Sequence, residues 1–371
     1  MKAKNFIKYF FIFSLAFLFI PALIVFIVDP LSLYHKQINL NHTTYYFKEQ
    51  RHQNIGLINY FLKRSNENYN TIIIGTSMSE NFRASLFEKE LNDGSKVLNL
   101  TMSGARPLEQ YILIKKALDT KKIKRVFWDI HWYFLLKKIN QKDKNHDFPY
   151  KLYSDNIFQQ AYYYLFNEDY VKDSINIFLG KINKKKWSKN LDKLNYHMDE
   201  WVKQGIFKKF HSNKNINKLN REIYKIKKDI PINYKNKFTY PDLDKYLLSI
   251  LKKYSNVEFY LFFPPYSTYF YAKNPVNKSL RYINARKYLI EKTKNLKNVK
   301  IFGFDNEFDI VNNIYNYKDY GHYRDEINNI MMRRMIKNKN RLTTKNINIY
   351  INNMINNINS YSRIFYKKVI K

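Results

Sequence analysis

The sequence lacks cysteine and is poor in glycine and proline: among 371 residues there are 8 Gly, 9 Pro and no Cys. Without cysteine there is no disulfide framework and no metal site built on thiolates. The absence is compatible with export, because an exported chain without cysteine needs no oxidising machinery. Lys, Asn, Ile, Tyr and Phe dominate instead, which indicates a compositional bias that extends over the whole chain.

Acidic residues are also few, since 31 Asp and Glu face 65 Lys and Arg, for a formal net charge of +34. A basic surface attracts anionic polymers and lipid head groups. The lysines are nevertheless spread through every segment, as the compositional bias would produce, so charge alone does not predict a nucleic-acid partner and none is expected. The length allows one large domain or two small ones with a buried core.

The N-terminus carries one long apolar run. Lys2, Lys4 and Lys8 precede uncharged residues 9–28, which Asp29-Pro30 ends. The run matches the roughly 20 residues that a helix needs to cross the hydrocarbon core, and it has no small-residue cleavage site. We therefore predict a cytoplasmic N-terminus and a transmembrane signal-anchor over 1–29. Because lysines flank its start, the main domain is expected outside the inner (plasma) membrane, in the periplasm. A buried apolar helix is the alternative.

Strand and helix signals alternate over much of the remaining chain. Predicted strands are 71–74, 97–100, 126–130, 257–263 and 299–304, and predicted helices include 55–63, 83–91, 111–118, 156–166, 190–203, 243–254, 279–296 and 325–337. This alternation predicts an α/β fold with a doubly wound, mainly parallel sheet covered by helices on both faces.

The same signals predict the domain organisation. A connecting segment over 30–70 leads to an α/β domain made of 71–136 and 241–338. A helical insertion over 137–240 interrupts that domain, and its many aromatic residues argue against disorder. A C-terminal helical extension over 339–371 bears an apolar stripe. The stripe would either pack on the domain, which we favour, or rest on a membrane surface.

A serine follows the first predicted strand directly. Residues 75–79 read Gly-Thr-Ser-Met-Ser, which predicts a sharp turn that holds the hydroxyl of Ser77 at the carboxyl end of the strand. Backbone N–H groups of the following helix would then face an oxyanion. As an isolated feature, such a serine is more often a helix N-cap than a nucleophile.

Residues 319–322 read Asp-Tyr-Gly-His and follow the last predicted strand of the domain. Strand-to-helix loops of a doubly wound sheet share the edge at which ligands bind, so this loop can meet Ser77. His322 would accept the proton of the serine hydroxyl, and Asp319 would orient the imidazole. Gly321 would permit a backbone conformation that a bulkier residue resists. On its own, a histidine such as His322 is more often a structural loop residue than a catalytic base.

Other polar residues have competing interpretations. Asp143 and His146 repeat the Asp-x-x-His spacing, but they lie in the charged insertion and are assigned no catalytic role. Arg83 and Arg106 follow two of the strand ends, where they would bind an anionic sugar or a phosphate. Simple surface charge explains these two arginines equally well.

These motifs resemble those of the SGNH (GDSL-type) hydrolases. The resemblance is to the membrane-anchored, extracytoplasmic members associated with acylation of bacterial surface polymers, such as the SGNH-like proteins of alginate O-acetylation and teichoic-acid D-alanylation. Residues 75–79 are similar to the first block, Gly-Asp-Ser-Leu-Ser, residues 99–104 to the second and residues 319–322 to the fifth. The resemblance implies a flavodoxin-like sheet of SGNH type. It also implies that Ser77 is the nucleophile, with oxyanion donors at the N–H groups of Ser77 and Gly104.

The third block departs from this family. A Gly-x-Asn-Asp should follow the third strand, with its asparagine donating to the oxyanion, but residues 128–132 read Trp-Asp-Ile-His-Trp. Loss of one oxyanion donor costs about 3–4 kcal/mol. Either His131 or a backbone N–H therefore substitutes, or the site is a slow, specialised acyl-transfer centre. Asp129 and His131 are expected to be structural or to contact substrate.

The resemblance implies a membrane-anchored serine esterase or O-acyltransferase that acts on a cell-envelope polysaccharide or acylated polymer. It implies no cofactor and no metal, and a membrane acyltransferase is a candidate partner. The alternative is a non-catalytic, glycan-binding or scaffolding partner of a membrane acyl-transfer complex. The altered third block favours that alternative, whereas the intact Ser77, Asp319 and His322 set opposes it.

Overall fold

A computed structural model describes residues 3–35, 45–46, 49–137, 139, 147–181, 187–188, 190–193, 195–226, 229–234 and 237–369. The chain divides into two compact units. The N-terminal unit comprises Met1–Glu67 and Asp147–Leu194, and the α/β unit comprises Asn68–His146 and Asn195–Lys371. The predicted insertion over 137–240 is therefore divided between the two units.

The helices in chain order are α1 (Ala3–Val28), α2 (Gln50–Leu57), α3 (Ala84–Leu91), α4 (Pro107–Leu118), α5 (Ile157–Leu165), α6 (Glu168–Phe178), α7 (Met198–Lys203), α8 (Ile206–Phe210), α9 (Asn213–Ile226), α10 (Leu248–Lys253), α11 (Thr268–Ala272), α12 (Val276–Thr293), α13 (Phe308–Val311), α14 (Asp325–Ile336) and α15 (Ile347–Val369). The strands are β1 (Tyr45–Tyr46), β2 (Tyr69–Ile74), β3 (Lys96–Asn99), β4 (Arg125–Asp129), β5 (Trp187–Ser188), β6 (Glu258–Phe263), β7 (Val299–Gly303) and β8 (Arg341–Leu342).

Helix α1 lies in the N-terminal unit and confirms the predicted apolar helix. Its stretch Asn5–Val28 contains an 18-residue window with a mean hydropathy of 2.9, so by length and composition the helix is able to cross a membrane. The helix ends at Asp29, whose φ is 45° and whose carboxylate accepts the backbone N–H groups of Leu33, Tyr34 and His35. The predicted orientation in a membrane stays a prediction.

A six-stranded sheet forms the centre of the α/β unit, in the order β3-β2-β4-β6-β7-β8. All neighbouring pairs are parallel except β7 and β8, so the predicted mainly parallel α/β fold is confirmed. Each of the six residues of β2 is buried, so both faces of this strand are covered, as is usual for parallel sheets. The predicted strands agree with the observed ones to within about two residues at each end.

Strands β3 and β4 both flank β2, so the chain order reverses between β2 and β4. Crevices at such a reversal, outside the carboxyl ends of the strands, are where open α/β sheets bind ligands. Ile74 at the end of β2 pairs with Trp128 near the end of β4. The segments that follow these two strands therefore lie beside each other at the carboxyl edge of the sheet.

The helix predictions fare less evenly. Helix α15 confirms the C-terminal helix, and its apolar stripe is buried on the α/β unit: Ile347, Ile351, Met354, Ile355 and Ile358. Packing, the interpretation favoured from the sequence, is therefore the observed one. The predicted helix over 190–203 is wrong in its first half, where Leu191–Lys193 forms one 3-10 turn. The predicted helix over 55–63 is instead the end of α2 followed by a π-helical segment, Ile58–Arg64.

Candidate active site

The turn after β2 leaves no room for a side chain at Gly75. A Cβ built on Gly75 would lie 2.6 Å from Cγ of Asp129, far inside any normal contact. The carbonyl of Gly75 accepts the N–H of Met102 at 3.1 Å, which joins this turn to the loop after β3. The glycine of the first motif is therefore required for close packing against β4.

Asp129, the last residue of β4, holds this turn in place through hydrogen bonds. Its Oδ2 accepts the backbone N–H of Thr76 at 2.9 Å and the hydroxyl of Ser79 at 2.6 Å. The carboxyl is fully buried, and burial raises its pKa to about 6, although the hydrogen bonds from Ser79 and Thr76 act in the opposite direction. Asp129 is thus a structural support of the serine turn, one of the two roles expected for it.

The structure brings Ser77, His322 and Asp319 together. Oγ of Ser77 lies 2.7 Å from Nε2 of His322, and Nδ1 of His322 lies 2.7 Å from Oδ2 of Asp319. The carboxylate can only accept, so we assign the proton of the neutral ring to Nδ1. Nε2 is then the acceptor for the serine hydroxyl, as a general base requires.

The loop that carries His322 and Asp319 is a short hairpin. Tyr317 and Tyr323 form an antiparallel bridge, and the N–H of Lys318 donates to the carbonyl of His322 at 2.9 Å. Inside this hairpin, Oδ1 of Asp319 accepts two backbone N–H groups, those of residues 321 and 322, each at 2.8 Å. Burial opposes ionisation of Asp319, but the charge of His322 and these hydrogen bonds outweigh it and lower the pKa of Asp319.

Gly321 has a different role from the one expected. Its φ is not in the left-handed region, so backbone freedom does not explain the glycine. A Cβ at this position would instead lie 3.2 Å from two carbons of the Tyr266 ring. The glycine therefore lets the hairpin approach the segment that follows β6, where Ser267 donates its hydroxyl to the carbonyl of Tyr320 at 2.7 Å.

The hairpin and helix α14 both bind the serine turn. The hydroxyl of Tyr323 donates to the carbonyl of Met78 at 2.8 Å, and Nδ2 of Asn328 donates to the same carbonyl at 3.2 Å. Met78 directly follows Ser77, so these bonds fix the position of the serine relative to the imidazole. Residues 245 and 250 positions apart in sequence are thereby joined beside Ser77.

The second motif supports the same turn. Nδ2 of Asn99 donates to the carbonyls of Phe82 and Glu80 at 2.9 and 3.2 Å. Gly104 lies two residues after Met102 and has a φ of 64°, the left-handed conformation that favours glycine. The loop after β3 thus lies against the serine turn. The role of the Gly104 N–H as an oxyanion donor stays a prediction.

His131 lies two residues beyond Asp129, in the segment that follows β4. It is 6 % exposed, and its Nδ1 accepts the N–H of Tyr133 at 3.4 Å. Burial, followed by the nearby charges of His322 and Arg106, lowers the pKa of His131 well below its ordinary value. The ring is therefore neutral, and because Nδ1 accepts, its proton is assigned to Nε2.

The two candidate arginines differ in their surroundings. Arg106 lies close to His131, and its guanidinium stacks on the ring of Tyr133, 3.6 Å from the centroid. Arg83 instead donates to Oδ2 of Asp325 at 3.1 Å and to the hydroxyl of Tyr196 at 2.7 Å. The structure thus places Arg106 beside the site and gives Arg83 a structural ion pair at the start of α14.

Trp201, on α7, contacts the site although the sequence did not indicate it. Its ring meets that of His322 edge-on, with centroids 5.9 Å apart. The amine of Lys318 lies 3.4 Å from the centroid of Trp201, and burial lowers the pKa of Lys318 despite the charges of Asp319 and Glu80. No motif or spacing in residues 195–210 points to this contact.

Asp143 and His146 lie outside the described residues. Within the described part of the chain, no three His, Asp or Glu side chains are grouped as a metal site would need. In comparisons with known proteins, no family model and no curated protein matches the chain.

Proposed function

We propose that this protein is a membrane-anchored, SGNH-like serine esterase or O-acyltransferase that acts on a cell-envelope glycan or acylated polymer. The observation that carries the proposal is the continuous hydrogen-bonded chain from Ser77 Oγ through His322 to Asp319. The sheet supports it, because counting β2 as strand 1 gives the order 2-1-3-4-5 of flavodoxin-like folds, followed by the antiparallel edge strand β8. Ser77 lies at the carboxyl edge of that sheet.

The geometry supports acyl transfer through a covalent intermediate. Ser77 Oγ attacks the acyl carbonyl while Nε2 of His322 takes the hydroxyl proton, and Asp319 stabilises the resulting imidazolium. The imidazolium then protonates the leaving alcohol, which departs from the acyl-enzyme. Water or a sugar hydroxyl next loses its proton to His322 and attacks the acyl carbon, and Ser77 regains its proton.

His131 is our candidate for the oxyanion donor that the third motif lacks. Its position after β4 corresponds to that of the asparagine of the related hydrolases, and its assigned tautomer carries the proton on Nε2. A neutral ring donates without adding a charge beside the imidazolium of His322. With the backbone N–H groups of Ser77 and Gly104, it would make a three-donor oxyanion hole.

The altered third motif also leaves a second candidate function. A non-catalytic, glycan-binding partner of a membrane acyl-transfer complex would not need the asparagine. Such a protein would also not need an aligned base and nucleophile, and the 2.7 Å contact of Ser77 with His322 therefore favours the enzyme.

The test uses the full chain in mild detergent with p-nitrophenyl acetate and a fluorescent fluorophosphonate. We expect the parent to turn over the ester and to be labelled on Ser77. Ser77→Ala and His322→Ala should each reduce kcat to near background, and the double variant should lose little more, because the triad acts as a unit. Asp319→Asn should cost about 10⁴-fold in kcat, since it orients the imidazole wrongly.

The matched control removes the other Asp-x-x-His pair. Asp143→Ala with His146→Ala should keep activity within a few-fold of the parent. An inactive parent that the fluorophosphonate does not label, or activity that survives Ser77→Ala, would replace the enzyme proposal with the binding partner.

A further inference from the structure

A cavity lies in the α/β unit among the segments that follow β4 and begin α12. It measures about 490 Å³, within the range of roughly 300–1,000 Å³ that is usual for ligand sites. The segment after β4, the segment before α10 and the first turns of α12 form its walls. Its lining residues are Leu136, Lys137, Lys237, Phe238, Asn277, Lys278, Arg281 and Tyr282.

The lining includes four cations, Lys137, Lys237, Lys278 and Arg281, and no acidic residue. None of the four forms an ion pair with a carboxylate of the described residues. Elsewhere on the α/β unit such pairs do form, as between Arg333 and Glu90 at 2.9 Å. Four unneutralised positive charges around one cavity repel each other, and a multiply charged anion would relieve that repulsion.

Arg281 is held ready for such an anion. Its Nη1 donates to the carbonyl of Thr239 at 2.7 Å and to that of Leu135 at 3.5 Å, and its guanidinium stacks on Phe238, 5.2 Å from the centroid. Across the described part of the chain, no acceptor contacts its Nε or Nη2. That pair of donors forms the fork that binds carboxylate or phosphate with two parallel hydrogen bonds.

Positive charge continues from this cavity towards the catalytic hairpin. The amine of Lys273 lies 3.0 Å from the centroid of the Tyr320 ring, and the charges of both Lys278 in the cavity and Asp319 in the hairpin act on it. The pKa of Lys273 is lowered to about 8, because burial and the charge of Lys278 together outweigh the opposing charges of Glu222 and Asp319. Lys273 therefore interacts electrostatically with both the cavity and the hairpin.

We infer that this cavity binds an anionic group of a glycan polymer, a carboxylate or a phosphate, next to the sugar that reacts at Ser77. The inference rests on the proposed function for the reaction at Ser77, but the binding of the anion does not depend on catalysis. It names the substrate class as a polyanionic glycan, which the triad alone does not specify.

The experiment measures binding to the full chain in neutral detergent by fluorescence anisotropy. The probes are labelled oligogalacturonate, which carries carboxylates, inorganic polyphosphate of similar charge, and neutral dextran. We expect at least one anionic probe to bind and dextran not to bind. The double variant Lys278→Gln with Arg281→Gln should raise Kd at least 10-fold for that probe, and the anion that binds more tightly identifies the group recognised.

The matched control lies on the same helix and removes the same charge. Lys287→Gln with Lys292→Gln should change Kd less than 2-fold, because neither residue lines this cavity. Lys137→Gln with Lys237→Gln tests the opposite wall through two exposed side chains and should also raise Kd several-fold. This variant guards against misfolding of the Arg281 variant.

Equal weakening by the cavity and control variants would show a response to net charge and would overturn the site. Unchanged binding in both cavity variants would do the same. Tighter binding of a single-stranded oligonucleotide than of either probe would overturn the assignment to a glycan. The proposed function is judged separately, because Ser77→Ala should abolish esterase activity and leave Kd unchanged.

Discussion

The two carboxylate oxygens of Asp129 differ in their hydrogen bonding. Its Oδ2 accepts from Thr76 and Ser79, whereas Oδ1 is buried and has no hydrogen-bond partner among the described residues. Burial raises the pKa of Asp129 to about 6, and an unfolded aspartate titrates near 3.9. Between about pH 4 and 6 the folded protein therefore binds more protons, so this group stabilises the fold at pH 4 and loses that contribution as the pH rises.

The prediction compares the parent with Asp129→Asn, since an amide does not titrate in this range. We expect the free energy of unfolding of the parent, minus that of the variant, to fall by about 2–3 kcal/mol from pH 4 to 7. Urea unfolding of the full chain in nonionic detergent measures it. The parent is compared with a variant because His131, whose pKa is lowered, also changes the free energy of unfolding with pH. Its contribution has the opposite sign below about pH 6.5, and the subtraction removes it. A difference that is constant with pH would contradict the prediction.

His131 allows a test of the oxyanion hole at a single position. His131→Leu removes the Nε2 donor and should lower kcat on p-nitrophenyl acetate about 10²–10³-fold with little change in KM. His131→Asn supplies the amide of the related hydrolases and should recover at least 10-fold of that loss. Equal losses in both variants would indicate that His131 serves packing alone.

The grouping of Ser77, His322 and Asp319 could be predicted because the sequence signals of these residues are local. Ser77 follows a strand and a glycine, and Asp319 and His322 lie close together in sequence on one hairpin. Residue identities and predicted strand ends are therefore enough to group these three residues. The support of the serine turn by Asp129 required the pairing of β2 with β4, which spacing does not give. The contact of Trp201 with His322 depends wholly on tertiary packing.

At the scale of elements, a buried ion pair joins α12 to the loop after β7. Nη2 of Arg286 lies 2.7 Å from Oδ2 of Asp305, and both side chains are 1 % exposed. Tyr350 on α15 donates its hydroxyl to the same oxygen at 3.0 Å. Helices α12 and α15 are thereby fixed to the sheet at one charged centre.

Breaking this buried ion pair should strongly destabilise the fold. We expect Arg286→Met to lower the free energy of unfolding by about 3–5 kcal/mol, because it leaves Asp305 buried without its counter-ion. Adding Asp305→Leu should restore part of the loss. Glu291→Gln removes the exposed partner of Lys294 on the same helix and should cost less than about 1 kcal/mol. Urea midpoints compare the three variants, and a loss from Arg286→Met no larger than that control would contradict the argument.

Strands were predicted better than helices for a physical reason. The strands of a mainly parallel sheet contain continuous apolar runs, such as residues 72–74 and 259–263, and these are distinct in sequence. The short helix α11 was not predicted, because its residues are aromatic and follow Pro264-Pro265. The loop over 319–322 was recognised, but its hairpin bridge between Tyr317 and Tyr323 was not.

At the scale of the whole molecule, the flanking lysines predict the orientation of α1. We expect alkaline phosphatase fused after residue 50 to be active and the chain to fractionate with membranes. A cytoplasmic reporter at the same point should be inactive. The reverse pair of results would place the α/β unit in the cytoplasm and remove the basis for a cell-envelope substrate.

The N-terminal unit is assembled from two distant stretches, so synthesis imposes an order on its folding. The hydroxyl of Tyr164 donates to Oδ1 of Asp29 at 2.9 Å across a separation of 135 residues. At roughly 5–20 residues per second, translation takes about 7–27 s to cover that distance. Helix α1 is therefore complete, and β2, β3 and β4 have been made, before the segment that packs on its end exists. During those seconds the N-terminal unit of the nascent chain is incomplete while the sheet of the α/β unit begins to form.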